Sequence, residues 1–344
     1  MSGLVLAGGG HSHALVLRRW AMKPSKRPHQ LITLVSRTST ALYSGMVPGL
    51  IAGVYQRDQA AVDLRDLADQ AGVALVVAEI TGLDLQNQRL QLNQRPALPY
   101  EQLSLNLGAV TSSSPAPTPG LVPIKPLEPA LAFLADQDEQ MGKPAVASSP
   151  FQVVGSGLAA VETVFALRQR WPRRPLLLRI HPAKLKPALK RALLEASIQL
   201  IETRNLDPTN QLETATGLLC TGSQAPQWLT SSGLPCCPSS GRIRTESSLQ
   251  VIGQPKLFAA GDCAVIKAHP RAPSGVWAVR AAAPLARNLE AACEARPLRR
   301  WRPQRQALQL LGGFNKGQPT AWAIQGSVLI GPHPMLWRLK AIID

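Results

Sequence analysis

Two strand–loop–helix units with glycine-rich loops recur in this chain, and they constrain its fold more than any other feature. The first follows the apolar run 4–7 with the loop 8–10, and the second follows the apolar run 151–154 with the loop 155–157. Such a loop leaves the backbone N–H groups of the next helix uncovered, so a pyrophosphate can reach them. The sequence therefore predicts an α/β protein with two Rossmann-like dinucleotide-binding folds.

Length, composition and cysteine content narrow the class of protein. A chain of 344 residues suggests about two domains. The content of 45% hydrophobic and 17% charged residues excludes a disordered tail or a coiled coil, and no apolar run approaches the roughly 20 residues of a membrane span. The five cysteines form no C-x-x-C pair, and residues 4–7 are too short for a signal-peptide core. We therefore expect a cytoplasmic protein.

The charge balance favours anionic partners. There are 37 Lys and Arg residues against 21 Asp and Glu residues, which gives a net charge of +16. Nucleotide phosphates, nucleic acid and an acidic membrane surface all suit such a charge. Since only 4% of the residues are aromatic, few side chains could stack on bases, and we expect no specific nucleic-acid partner.

The two loops match the dinucleotide pattern to different degrees. Gly8 and Gly10 fit the first loop, whereas His13 stands where a third small residue is usual and predicts a looser contact between helix and strand. An ordinary tight turn is the alternative there. The second loop is a fuller match, with Gly155 and Gly157 followed by Ala160.

Two acidic residues are candidates for cofactor contacts. Glu162 follows the second loop on a helix, where it is either a cofactor ligand or a solvated carboxylate. Asp262 follows Gly261 at the end of an apolar strand, where it could accept a hydrogen bond from a sugar hydroxyl or serve as a turn or helix-cap residue.

Five short motifs in this order resemble the FAD-dependent pyridine nucleotide-disulfide oxidoreductase superfamily, and within it the type II NADH dehydrogenases and sulfide:quinone oxidoreductases. They are Gly8-Gly9-Gly10, Leu107-Gly108-Ala109, Gly155-Ser156-Gly157, Leu219-Cys220-Thr221-Gly222 and Ala259-Ala260-Gly261-Asp262.

Four further segments look like the flavoprotein half that is fused before selenophosphate synthetase (selenide, water dikinase). They are His11-Ser12-His13, residues 43–49, residues 275–280 and Trp301-Arg302-Pro303-Gln304. A selenophosphate synthetase is thus a partner that the resemblance suggests.

The resemblance implies FAD on the first fold and NAD(P)H as co-substrate on the second. In this reading Gly8 and Gly10 take the pyrophosphate, Asp262 takes the ribityl chain, and the helix that starts near Gly275 directs its positive end at the flavin. The remaining residues that it assigns to the cofactors are His11, Ser36, Arg37, Gly108, Gly155, Gly157, Glu162, Gly222, Gly261 and Trp277. Glu162 is also the one candidate catalytic residue, because the flavin itself carries the redox chemistry.

Two strand ends depart from the family pattern. Residues 31–35 are followed by Ser36 and Arg37 instead of the acid that usually binds the adenosine ribose. Residues 176–180 are followed by His181, with Lys184 and Lys186 beyond, a cationic end that suits a 2′-phosphate. We therefore expect NADPH to be used at least as readily as NADH.

The predicted architecture is two Rossmann-like domains, with the second inserted in the first. Each domain is expected to have three layers, two of β-structure and one of helices (ββα). Residues 1–120 and 253–295 form the FAD-binding domain, 121–252 form the NAD(P)-binding domain, and 296–344 form a C-terminal interface or membrane-contact segment. Residues 111–119 are predicted to be a linker. In the last segment, Trp301 and Trp337 either pack against the FAD-binding domain or anchor the protein to an anionic membrane on its cytoplasmic side.

The favoured function is hydride transfer from NAD(P)H to flavin, with electrons passed on to a quinone or to a selenium or sulfur compound. A flavin-binding partner or regulatory module of selenophosphate synthesis, with little turnover of its own, is the alternative. Neither a metal site nor a dithiol relay is expected, because His11 and His13 diverge on the helix and the C-x-x-x-x-C pair of disulfide reductases is absent.

Overall fold

The computed structural model describes residues 3–111, 119–204, 216–315 and 317–343. It divides into two compact units, and each is made of three stretches of chain. Unit 1 comprises Met1–Tyr43, Ala61–Ala109 and Ser223–Arg305. Unit 2 comprises Ser44–Ala60, Val110–Gly222 and Gln306–Asp344. Most of the predicted linker, residues 112–118, lies outside the described residues.

The strands in chain order are β1 (Gly3–Ala7), β2 (Ile32–Ser36), β3 (Thr40–Leu42), β4 (Ala61–Asp63), β5 (Ala74–Val77), β6 (Ile80–Asp84), β7 (Arg89–Leu92), β8 (Arg95–Leu105), β9 (Val110–Thr111), β10 (Leu121–Pro123), β11 (Phe151–Val154), β12 (Leu176–Ile180), β13 (Ile198–Glu202), β14 (Thr216–Leu219), β15 (Ser223–Gln224), β16 (Ile243–Thr245), β17 (Gln250–Val251), β18 (Gln254–Ala259), β19 (Ala264–Ile266), β20 (Gln309–Asn315), β21 (Gln318–Gln325) and β22 (Val328–His333).

The α-helices are α1 (His11–Met22), α2 (Val47–Ile51), α3 (Leu64–Gln70), α4 (Leu127–Gln140), α5 (Pro144–Ser148), α6 (Leu158–Arg170), α7 (Pro187–Glu195), α8 (Trp228–Ser231), α9 (Gly275–Cys293) and α10 (Pro334–Ile343). Short 3₁₀ turns cover Pro24–Lys26, Pro182–Lys184 and Gly261–Cys263.

Unit 1 is built on a sheet with the strand order β19-β16-β17-β18-β8-β1-β2-β5. Its strands β18, β8, β1, β2 and β5 run parallel to one another. All residues of β1 and β2 are buried, as expected of parallel strands that are covered on both faces, because side chains on both sides then need apolar surroundings.

The two faces of this sheet are covered differently. Helices α1 and α9 pack on the face that carries Leu4 and Leu6. On the opposite face, Val5 and Ala7 pack with apolar residues of β6 and β7, which form an antiparallel meander with the first half of β8. Unit 1 therefore has the three layers that the sequence predicts.

Helices α1 and α9 are held together by polar contacts as well as by apolar packing. The Ser12 hydroxyl donates to the Ala278 carbonyl over 2.7 Å. Glu290, which is 5% exposed, accepts hydrogen bonds from Arg19 Nε at 2.9 Å and from the Trp20 indole N–H at 3.1 Å. The Ser12 contact fixes the start of α1, and therefore the loop before it, against α9, and the contacts of Glu290 fix the end of α1.

Unit 2 is built on an entirely parallel sheet with the order β10-β14-β11-β12-β13. Helix α6 carries an unbroken buried run, Thr163–Leu167, because its surroundings are apolar nearly all round. The end of the chain adds the antiparallel sheet β20-β21-β22, and Trp322 of β21 stacks on Phe165 of α6 with ring centroids 5.2 Å apart.

The predicted α/β fold with two Rossmann-like parts is confirmed by this architecture, but the division into units runs along different boundaries. Residues 223–252, assigned from the sequence to the NAD(P)-binding domain, lie in unit 1, because β16 and β17 extend its sheet. Residues 44–60 and 306–344 lie in unit 2. The hydrophobic pattern of the sequence could not predict these boundaries, because it does not reveal to which sheet a short strand is added.

Trp301 and Trp337, the two candidate membrane anchors of the predicted C-terminal segment, are packed against protein. Trp301 packs on the core of unit 1 formed by α1 and α9, whereas Trp337 lies 5.6 Å from the Phe314 ring in unit 2 and not in the unit with the first loop. Among the residues described, no helix has the length and apolar character needed to cross a bilayer.

Candidate functional site

The first glycine-rich loop connects β1 to α1 and is packed tightly against the end of β8. Gly8 has φ +99°, and a Cβ atom there would lie 2.5 Å from the Asn106 carbonyl oxygen. A Cβ atom at Gly10 would lie 2.3 Å from Asn106 Oδ1. Only glycine fits at either position, because any side chain would collide with Asn106.

Asn106 joins three parts of unit 1 through its side-chain amide. Its Oδ1 accepts the N–H groups of Ser12 at 3.1 Å and His13 at 3.3 Å, in the first turn of α1. Its Nδ2 donates to the carbonyl of Ala260, just after β18, at 2.8 Å. The residue is 2% exposed, so these bonds are made away from water and fix the loop, the helix start and the strand end together.

Sequence reasoning missed Asn106, although it directly precedes the Leu107-Gly108-Ala109 motif. The available signal was an amide residue at the end of a buried strand, between two apolar residues, where a polar side chain needs partners.

The N-terminus of α1 fits an anionic group. Gly10 is the N-cap residue and makes no side-chain cap, and the first turn carries no acidic residue. Within the described part of the chain, the N–H groups of Gly9 and Gly10 have no acceptor. Two unused donors at the positive end of a helix, with no side chain in front of them, are what a diphosphate requires.

His13 tightens the helix–strand contact that the sequence predicted to be loose. The ring is fully buried, with Nδ1 2.7 Å from the Gly8 carbonyl and Nε2 2.8 Å from the Ser104 hydroxyl. Since a carbonyl can only accept, Nδ1 carries the proton and Nε2 accepts from Ser104. Burial lowers the pKa of His13 to about 4, so the ring is neutral at pH 7.

The other residues predicted on the first fold lie around this loop. Ser36 is buried at the end of β2, and a Cβ at Gly9 would lie 2.8 Å from its Oγ. Arg37 points outward and makes an exposed ion pair with Glu79 at 3.5 Å. The His11 ring meets the Tyr43 ring edge-on at 4.9 Å.

Two glycines that follow β8 and β18 also flank the site. Gly108 has φ +72° and open space where a side chain would be. Gly261 has φ +74°, and a Cβ there would lie 2.4 Å from Asn106 Nδ2. The Asn106 amide therefore requires glycine at Gly10 in the first loop and at Gly261 in the motif that follows β18.

The backbone around Asp262 is held by a buried arginine that the sequence did not single out. Arg242 is 8% exposed and donates from Nε to the Asp262 carbonyl at 3.1 Å. Its two other nitrogens donate to the carbonyls of Ala264 and Arg271. One side chain thus fixes the chain on both sides of the turn that presents Asp262 and leads to α9.

Trp277, in the first turn of α9, lies between two arginines. The guanidinium carbons of Arg271 and Arg280 are 5.3 and 5.4 Å from its ring centroid, within cation–π range. Gln304 ties both arginines: its carbonyl accepts from Arg271 and its side chain accepts from Arg280. The N-terminus of α9 is therefore strongly electropositive.

The second loop, in unit 2, is more open than the first. A Cβ at Gly155 would lie 2.4 Å from the Cys220 carbonyl, which requires glycine, whereas Gly157 has no atom within 4 Å of that position. Gly222 follows β14 with φ +81°. Among the described residues, the N–H groups of Ser156 and Gly157 have no acceptor, so this loop also offers donors to an anion.

Glu162 lies behind the second loop and is engaged with the C-terminal segment of unit 2. Its Oε1 accepts the Gly312 N–H at 2.7 Å and lies 4.0 Å from Lys340 Nζ. Lys340 is 7% exposed and donates to the Gly45 carbonyl at 2.7 Å. The carboxylate is thus partly buried and bonded to the C-terminal elements.

The end of β12 is adjacent to the second loop. The His181 N–H donates to the Ser156 hydroxyl at 3.0 Å. Lys186 Nζ donates to the Ser327 carbonyl at 3.0 Å. A backbone carbonyl carries no net charge, so this bond does not neutralise the ammonium group. The side chain of Lys184 lies outside the described residues.

The described cysteines form no disulfide and hold no metal site. All five cysteines are free, and burial raises the pKa of Cys263 to about 11. The described ranges contain no group of three or more His, Cys, Asp or Glu residues that could hold a metal ion.

Comparison with known proteins gives a family match over most of the chain. The sequence profile described as "Pyridine nucleotide-disulphide oxidoreductase" matches residues 7–283. Human ferroptosis suppressor protein 1 is 29% identical over 273 residues, which cover 69% of this chain and 69% of that protein. An NADH dehydrogenase-like protein of Mycobacterium tuberculosis is 28% identical over 260 residues, which cover 62% of this chain and 61% of that protein.

Solved structures share the fold at low sequence identity. The sulfide:quinone oxidoreductase of Aquifex aeolicus superposes with a TM-score of 0.73 at 15% identity, over 100% of this chain and 90% of that one. The reduced CoADR-RHD protein of Bacillus anthracis superposes with a TM-score of 0.75 at 17% identity, over 98% of this chain and 63% of that one.

The buried, neutral His13 predicts a loss of stability in acid. Its pKa is lower in the folded chain than the ordinary 6.5 of the unfolded chain, so its contribution is present above pH 6.5 and lost as the pH falls toward 4. The wild type should lose about 2 kcal/mol of unfolding free energy relative to His13→Gln between about pH 7 and about pH 4.5. Denaturant unfolding at each pH measures this difference, and the exposed His29→Gln variant is the control. A wild-type-minus-variant difference that does not change with pH would contradict the assignment.

Proposed function

The chain belongs to the pyridine nucleotide-disulphide oxidoreductase family, and on that premise we propose that it transfers a hydride from NAD(P)H to FAD and passes the electrons to a small-molecule acceptor. Proteins of this family are FAD-binding oxidoreductases that use NADH or NADPH, and this chain is an enzyme of that kind. The acceptor we favour is a quinone or a selenium or sulfur compound. The observation that carries the proposal is the pair of glycine loops with unused N–H donors, one in each unit.

The first loop supports FAD binding in unit 1. When bound, the flavin supplies the redox chemistry. The chain itself supplies the N–H groups of Gly9 and Gly10 for the diphosphate, and Asn106 fixes the helix start beside them. Gly8, which the sequence also assigned to the pyrophosphate, donates its N–H to the Val35 carbonyl at 2.8 Å and instead gives the loop its close approach to Asn106. Asp262, on the turn fixed by Arg242, is our candidate for the ribityl hydroxyls.

The N-terminus of α9 supports the same proposal. A reduced flavin gains negative charge, and a helix start with two arginines beside Trp277 stabilises negative charge. Arg271 and Arg280 are fixed by Gln304, so this positive field is present before any ligand arrives.

The second loop supports binding of the nicotinamide nucleotide in unit 2, with NADPH accepted at least as readily as NADH. The open space over Gly157 leaves room for a diphosphate. At the end of β12, where an NAD-binding fold usually has an acid, His181 removes the repulsion that a 2′-phosphate would meet.

Selenium chemistry remains the more specific candidate for the acceptor or the pathway. The motifs around His11, residues 43–49 and Trp301 resemble the flavoprotein half of the selenophosphate synthetase fusion. If the chain acts chiefly as a partner of such a synthetase, it should bind FAD but turn over slowly.

Anaerobic reduction tests the enzyme directly. The purified FAD-loaded protein should be yellow and should bleach when NADPH or NADH is added without oxygen, with kcat/KM for NADPH at least equal to that for NADH. The His181→Glu variant should shift the preference toward NADH by about tenfold or more, because its carboxylate would repel the 2′-phosphate. Stopped-flow absorbance of the flavin band gives both results.

A yellow protein that stays oxidised with both nucleotides would favour the binding module over the enzyme. A strong wild-type preference for NADH would refute the proposal that His181 at the end of β12 favours NADPH. It would not contradict hydride transfer to FAD.

The Asn106→Ala variant tests the cofactor site. Losing the amide leaves the N–H groups of Ser12 and His13 and the Ala260 carbonyl without their partner, which should cost about 3 kcal/mol of unfolding free energy. It should also weaken FAD binding by at least about tenfold, because the loop loses its fixed geometry. The FAD dissociation constant from flavin fluorescence measures this, with the exposed Asn93→Ala variant as the matched control. Unchanged FAD affinity would rule out the proposed role of Asn106.

We also propose that unit 2 contacts an anionic lipid surface through its C-terminal elements. Met335, Leu339 and Ile342 recur on one face of α10 and are 67%, 39% and 82% exposed, and Arg338 lies among them. Two residues of β22, Val328 and Ile330, are 55% and 62% exposed. An apolar face on a protein of net charge +16 matches a negatively charged bilayer.

Vesicle sedimentation tests this contact. The FAD-loaded protein should bind vesicles rich in phosphatidylglycerol, and the double variant Leu339→Glu/Ile342→Glu should bind at least about tenfold more weakly. Leu194→Glu, at another exposed leucine of unit 2, should bind like the wild type. Equal binding of the double variant and the wild type would exclude α10 as the contact.

A further inference from the structure

A small cavity in unit 1 lies between the N-terminus of α9, strands β16, β18 and β19, and the chain around Trp301. Its volume is about 50 Å³. The polar and aromatic residues that line it and carry the argument are Arg242, Thr245, Asp262, Arg271, Ser274 and Trp277.

One buried polar group in this lining has no partner. Thr245 is completely buried, and its hydroxyl forms no hydrogen bond with any described residue. Buried hydroxyls in folded proteins are nearly always hydrogen-bonded, because an unpaired one loses its bonds to water without compensation. The Thr245 hydroxyl therefore indicates a polar ligand in the cavity.

The charges around the cavity give the sign of that ligand. Arg242 and Arg271 both line it, and Asp262 is the single carboxylate among the lining residues. The guanidinium groups of Arg242 and Arg271 donate hydrogen bonds to backbone carbonyls, which do not neutralise the arginine charge. Ser274, the N-cap of α9, makes no side-chain cap and no acid follows in the first turn, so the positive end of a long helix adds to the field.

We propose that this cavity binds a small inorganic anion, with the Thr245 hydroxyl as a donor and Arg242, Arg271 and the start of α9 as the positive field. The volume holds a few atoms, such as a halide or a small oxyanion. Dinucleotide rings and quinones need several hundred Å³ and are excluded by size.

This subsite goes beyond the proposed oxidoreductase function, although it shares Asp262 and Trp277 with the proposed flavin site. An anion held here would lie next to residues that present the cofactor, so anion binding and flavin properties should be linked. Because the cavity is bounded by unit 1 alone, the subsite does not depend on NAD(P)H or on the electron acceptor.

The test is a bromide titration of the FAD-loaded protein, with gluconate replacing bromide so that ionic strength stays constant. Bromide should raise the Tm saturably and quench part of the tryptophan fluorescence, since Trp277 lines the cavity. Thr245→Val keeps the side-chain shape and removes the donor, and it should weaken bromide binding by about tenfold. Arg271→Gln should weaken it as well, whereas Arg300→Gln removes an exposed charge away from the cavity and should bind as the wild type does.

The outcomes separate the subsite from its alternatives. If Thr245→Val simply raises the Tm and bromide has no saturable effect on the wild type, the cavity holds at most water and the proposal is wrong. If bromide binds only the FAD-free protein and FAD displaces it, the cavity is part of the flavin site and the separate subsite is wrong. A crystal of the FAD-loaded protein soaked in bromide should show an anomalous peak beside Thr245, and a peak only at exposed positions would overturn the assignment.

Discussion

The side-chain amide of Asn106 is the interaction on which the first site depends. A single buried group accepts two N–H groups at the start of α1 and donates to the carbonyl that follows β18. It leaves no room for a side chain at Gly10 or Gly261, and the backbone carbonyl of the same residue leaves none at Gly8. Because the contacts of the amide are buried, a side chain at Gly10 or Gly261 would displace the amide and, with it, the helix start that offers donors to a diphosphate.

The two glycine loops satisfy the same requirement in different ways. In unit 1 the loop is packed by the protein itself, through Asn106 and the neutral His13, which suits a cofactor that stays bound. In unit 2 the space over Gly157 is open, which suits a co-substrate that enters and leaves. The difference follows from packing density, because a loop that is fixed in advance loses less freedom on binding than one that is not.

The C-terminal elements complete unit 2 and do not form a separate segment. Lys340 on α10 donates to the Gly45 carbonyl, and Glu162 accepts from Gly312 of β20, so both ends of this buried pair belong to the unit. A buried cation without such partners would be costly. The exposed apolar residues of α10 and β22 therefore belong to elements that are tied to helix α6.

The sequence by itself determined the fold class, the family and the positions of both glycine loops. Each of these depends on the spacing of residues along the chain, which can be read without knowing which residues meet in the fold. It also placed Gly155 and Gly261 at turns that require glycine. The roles of the acidic candidates were harder to predict, because the role of a carboxylate depends on the groups that face it. Glu162, for example, accepts a hydrogen bond from Gly312, which lies 150 residues further along the chain.

Only the tertiary structure decided the rest. It assigned residues 223–252 and 306–344 to their units and turned His13 from a misfit in the motif into a buried hydrogen-bonding residue. It also revealed Asn106 and Arg242 as the side chains that fix the site. The physical reason is that these roles depend on contacts outside the local motif, such as His13 with Ser104 and Asn106 with Ala260, and only folding brings such residues within about 3 Å of each other.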